Sequence, residues 1–160
     1  MRDQRFIAAH RGGSLTLEHH RFLMDWACQC ATHVLPLMDV VPDERLITAL
    51  KTAEAWVQGQ AAVGAAIHAS RAAHAVAREA VNPVEIAVAR AVGQAVATAH
   101  MADHSLGAAW YALRAVKASG QSAEFERNWQ LQQLPVEVSE LVCSPFGSSK
   151  FGSAGSNGKR

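Results

Sequence analysis

Gln60-Ala-Ala-Val-Gly-Ala-Ala-Ile-His-Ala-Ser-Arg-Ala-Ala-His-Ala-Val-Ala-Arg-Glu-Ala80 decides the fold class. At 100° per residue, Ala62, Ala66, Ala69, Ala73, Ala77 and Ala80 fall within about 80° of one another, and Gln60, Arg71, His74 and Arg78 fall on the opposite arc. One face offers only methyl groups; the other offers charge and imidazole. A helix with such a stripe packs its neighbour near the short end of the roughly 8 to 10 Å interaxial range, and other helices must bring the bulk. Trp26, Trp56, Trp110 and Trp129, one on each of four other helical segments, are the expected source.

The same reading extends in both directions. Upstream, Thr16 caps a helix from about Leu17 to Leu37 that buries Leu23, Trp26, Ala27, Cys30 and Val34 and is loosened at its far end by Pro36. Pro42-Asp43-Glu44 opens a second helix that runs to Gly59. Downstream, Asn82-Pro83 opens a fourth helix to about Met101, with Ala89, Gly93, Val96 and His100 on one arc and Arg90, Gln94 and Thr98 facing away. A fifth helix spans about Ser105 to Ala118, with Gly107 inward and Gly120 as its stop, and residues 102–105 are either a kink or a true break. Ser122 caps a segment from Ala123 to Gln133, and Pro135 starts a short last turn to about Val142. Alanine, the best helix former, fills 31 of the 160 positions, and no alternating Val/Ile/Thr stretch of strand type occurs. The expected fold is all-α, a single compact bundle of five to seven helices over residues 1–143. From Ser144 the chain turns rich in glycine and serine, and residues 144–160 read as a flexible tail. The tail holds three basic residues and no acid, which leaves twelve basic and fourteen acidic residues, a charge of −2, on the body.

Composition narrows the function classes. A net charge of +1 lacks the footprint of a nucleic-acid or acidic-membrane binder. The longest uncharged stretch, Ala55 to Ser70, is 16 residues and broken by glutamines and a histidine, too short to span a bilayer of about 20 apolar residues. The charged N-terminus has no apolar run behind it, so the expected address is the cytoplasm. Three cysteines make no disulfide framework, and Cys28 and Cys30, about 200° apart on a helix, are expected to be buried reduced thiols.

Few residues suggest chemistry. On an unbroken helix His100 and His104 would share a face at chelating distance, with Asp103 as a third ligand. The zinc-protease pattern needs a glutamate after the first histidine, where Met101 stands, so the cluster reads first as structural, and neither metal nor other cofactor is expected. His68 and His74, about 120° apart, cannot chelate together. Gly155-Ser-Asn-Gly-Lys159 fails as a phosphate loop, because Ser153 stands where a glycine is required. Arg71, His74 and Arg78 form a basic ridge, and His10-Arg11-Gly12-Gly13 describes a tight, exposed entry loop with a positive pair. No serine or cysteine sits in the context of a nucleophile, so a binding protein is favoured over an enzyme.

Thr98-Ala-His-Met-Ala-Asp-His-Ser-Leu-Gly-Ala-Ala109, together with His10-Arg-Gly-Gly13 and Asn128-Trp-Gln-Leu-Gln-Gln-Leu-Pro135, resembles a family of small α-helical bacterial proteins described as putative immunity proteins, over roughly residues 8 to 142. The resemblance implies a cytoplasmic antidote that binds a cognate protein toxin, and it carries over no catalytic residue. His10, Arg11, Arg71, His74 and Arg78 are then the candidate partner contacts, with no nucleic acid, no membrane and room for a homo-oligomer. The alternative is a helical enzyme or metal- or ligand-binding module built on His100, Asp103 and His104.

Overall fold

The structure, a computed structural model, describes residues 3–144. Seven α-helices follow in chain order: α1 (Leu17–Val34), α2 (Glu44–Val57), α3 (Val63–Glu79), α4 (Pro83–Ala97), α5 (His104–Ala118), α6 (Ala123–Gln133) and α7 (Val136–Cys143). The anticipated caps are formed. Thr16, Asp43, Asn82 and Ser122 accept from the backbone N–H groups of His19, Arg45, Val84 and Phe125. Pro36 cannot donate to a carbonyl one turn back, and α1 stops at Val34, followed by a 3-10 turn over Leu35–Leu37.

α4 is the hub. It packs on α3 and α5 and also meets α1 and α2, so it is covered nearly all round. Its sequence permits this, because Ala87, Val88, Ala89, Ala91, Val92, Gly93, Ala95, Val96 and Ala97 are all buried and leave no wide polar arc. The expectation that Thr98 faces away is corrected: Thr98 is fully buried, its hydroxyl donating to Gln94 O and its own carbonyl accepting from His20 Nε2 at 2.5 Å. Arg90 and Gln94 are likewise half-buried, since α3 and α5 close over that side too.

The alanine stripe of α3 is buried at Ala66, Ala69, Ala73 and Ala77, while Ala62 and Ala80 become the two caps of a shorter helix. The bulk differs from expectation. Trp26 and Trp56 are in the core with Leu23, Met24 and Leu46, but Trp110 and Trp129 are only half-buried. α3 packs on α4 and on α2, and Ser70 fastens it to α4 by donating to Gly93 O at 2.9 Å. Arg45, bonded to Asp43 at the start of α2 and Glu79 at the end of α3, ties the outer ends of that pair.

Residues 98–103 are a true break. A turn follows Ala97, and α5 begins afresh at His104. The premise of one continuous helix beneath His100 and His104 therefore fails.

Candidate functional site

The entry loop is built by close backbone approach. Ala9 N donates to Leu15 O at 2.8 Å and Leu15 N to Ile7 O at 3.1 Å, so the chain folds back on itself before α1. Gly13 is required, because a Cβ there would lie 1.9 Å from Ile7 O. Gly12 takes the left-handed conformation at φ 84°. The outcome is a pinned loop that presents His10 and Arg11 to solvent.

Beneath it, Phe6, Ala8, Arg11, His20, His100 and Asp103 line a small cavity of about 160 Å³. Two stretches far apart in sequence, the entry loop and the α4–α5 turn, thus meet. The His100 and His104 rings lie 5.1 Å apart, and His104 Nδ1 donates to Gln94 Oε1 at 2.7 Å. Gln94 itself rests on Gly107, whose hydrogen leaves the space. Among the described residues no group of three or more His, Cys, Asp or Glu side chains is placed to hold a metal ion.

On α3, Arg71 and Arg78 are exposed, and neither forms an ion pair with a described residue. His74 departs from the expected ridge. Its ring folds against α4, so close to Gly93 that a Cβ there would lie 2.6 Å from Cε1. Arg90 Nη1 donates to His74 Nδ1 at 2.9 Å. Burial, then the charges of Arg90, Arg78 and His104, push the imidazole down to about 4, so His74 is neutral at physiological pH. The ridge therefore carries its charge on the two arginines. His104 thus joins the α4–α5 turn to Gln94 of α4, and Arg90, one turn earlier on α4, joins that helix to His74 of α3.

A second feature was invisible in the sequence. His33, on α1, stacks on Trp129 of α6 with ring centroids 3.6 Å apart and planes 8° from parallel, and its Nδ1 donates to the buried Glu126 carboxylate at 2.8 Å. Glu126 lies 93 positions from His33, and neither residue sits in a motif. Only the odd glutamate on the inward side of the polar helix α6 hints at a buried partner. Cys28 and Cys30 are free thiols; Cys30 is buried as expected, whereas Cys28 is half-buried, and desolvation of its sulfur pushes it up to about 12, which removes it as a nucleophile.

Residues 13–137 match the sequence profile of a family described as Imm-5 like putative immunity protein. The chain belongs to that family. The Imm-5 like region takes in everything from Gly13 to the first turn of α7 and so includes the α4–α5 turn, the arginine ridge and the His33–Trp129 stack. No curated protein and no solved structure is matched. Among the described residues no helix is long and apolar enough to cross a membrane.

Proposed function

We propose that this Imm-5 like protein is a cytoplasmic antidote that binds a cognate protein toxin and neutralises it by covering its working surface, without catalysis. The observation that carries the reading is the pair of exposed arginines on α3, Arg71 and Arg78, which form no ion pair with a described residue although the body is itself net negative. Exposed cations that form no ion pair among the described residues suit an acidic face on another protein, where charge complementarity speeds encounter and excludes wrong partners. Arg11 and His10, exposed at the entry loop, are the second group of proposed contacts. His74 contributes by position rather than charge, fastening α3 to α4 by accepting from Arg90. The metal- or enzyme-based alternative loses support, because His104 is committed to Gln94 and His100 stands on a separate segment.

The test is co-expression with the product of an adjacent toxin-like gene in a growth assay. Wild type is expected to protect, and reversing Arg11, Arg71 and Arg78 to glutamate is expected to abolish protection while the helical signal is retained. Protection that survives all three reversals removes this surface. Failure of the wild type against every neighbouring candidate removes the antidote reading itself.

A further inference from the structure

α1 and α2 lean away from each other. α1 packs chiefly on α5 and α4, and α2 chiefly on α3. Between them an open groove of about 710 Å³ remains, closed at one end by α6. Its walls are apolar over most of their area, with Cys28 and Leu35 from the α1 side, Ile47 and Leu50 from α2, and the flat His33–Trp129 stack as a shelf. The shelf continues past His33 into a second hollow beside Phe125, which is 80% exposed. An exposed aromatic next to a half-buried tryptophan is costly on a free surface, and it is the composition found at the centres of protein interfaces.

Charge sets the polarity of the groove. At the end away from the shelf, Asp25 of α1 and Glu54 of α2 face the same space, with Lys51 as the one cation among the lining residues. Neither carboxylate forms an ion pair with a described residue. Asp25, open to solvent on one side, is raised above its ordinary value, first by partial desolvation at the groove wall and then by the negative charge of Glu54. The two acids destabilise each other, and a cation placed between them would relieve both. From Asp25 to His33 is two helical turns, about 12 Å.

We propose that this α1–α2–α6 groove is the docking site for a two-turn helical segment of a partner protein, with an apolar or aromatic side chain lying on the His33–Trp129 shelf and a lysine or arginine reaching between Asp25 and Glu54. An amphipathic helix laid in an apolar groove is an established recognition mode, with anchors one and two turns apart. The groove is opposite in charge to the Arg71/Arg78 ridge, so it stands whether or not the ridge meets a toxin.

Trp129 provides the readout. The probe is a synthetic amphipathic helical peptide with leucines on one face and lysine at one end, titrated into the full-length protein and followed by tryptophan emission. A saturable shift is expected that disappears in Trp129→Phe. Affinity is expected to fall about tenfold when glutamate replaces the peptide's lysine, and about tenfold in the Asp25→Asn, Glu54→Gln double variant, whose substitutions are at exposed positions. An absent signal, or equal affinity for the lysine and glutamate peptides, overturns the proposal. So does tighter peptide binding after Phe146→Ser and Phe151→Ser, which would make the chain's own C-terminal stretch the occupant, or concentration-dependent dimerisation that the peptide disrupts, which would make it a second copy. Toxin protection is measured on the same double variant. Lost peptide binding with intact protection separates the groove from the ridge.

Discussion

His74 shows how one imidazole can lock two helices. Its ring occupies the space that a side chain at position 93 would need, and its lone pair is taken by Arg90. Gly93→Ala is therefore expected to destabilise the fold by about 1 to 3 kcal/mol, read from denaturant midpoints, since ring and guanidinium must both move. The same burial makes stability depend on pH. His74 titrates near 6.5 in an unfolded chain and near 4 in the fold, so the unfolded chain takes up a proton that the folded one refuses. Stability from this group is complete above about 6.5 and is lost as pH falls toward 4. His20 is shifted downward as well, chiefly by burial, and adds in the same direction. Tm is expected to drop across that window and to drop less in His74→Gln. Cysteine chemistry gives a second residue-level test. Cys143 is exposed, Cys30 is buried, and burial holds Cys28 protonated. One thiol per chain is expected to react quickly with a thiol reagent in the native state, and three after denaturation; fast labelling that persists in Cys143→Ser would contradict the structure.

At the scale of elements, α3 tests the packing argument. Ala73 is fully buried in the stripe and Arg71 is exposed, so Ala73→Leu is expected to cost about 1 to 3 kcal/mol by overpacking and Arg71→Leu to stay within about 0.5 kcal/mol. Similar losses from both would mean that the helix is rotated from its assigned face. Helix positions were readable because caps and breakers act locally: Thr16, Asp43, Asn82 and Ser122 mark starts within their own turn. Faces were readable where one side was polar, as on α1. They were not readable on α4, where coverage by four neighbours buries Thr98 and half-buries Arg90 regardless of their polarity. The interior side of His74 escaped for a related reason. Periodicity assigns an imidazole to the polar arc, and only the absent side chain of Gly93, on another helix, admits it inward. The His33–Glu126 pair joins residues too distant in sequence for any local pattern to couple.

For the molecule as a whole, the core is one connected cluster drawn from every α-helix except the polar α6. Leu23→Ala, at a fully buried position on α1, is expected to cost about 2 to 5 kcal/mol and to lower the midpoint seen by far-UV circular dichroism and by tryptophan fluorescence together. Separate midpoints would show that α1 and α2 unfold apart from the hub. The expected Gly/Ser-rich tail lies, from residue 145 onward, outside the described residues.

The central placement of α4 also has a consequence during synthesis. α1 finds its main packing surfaces on α4 and α5, so its apolar side has little to cover it when it leaves the ribosome. About 80 further residues must follow before α5 is complete, which at ribosomal speeds is on the order of 4 to 16 s. For those seconds Leu23, Met24 and Trp26 are open to water and to chaperones. The nascent chain is most prone to aggregation just before the bundle closes.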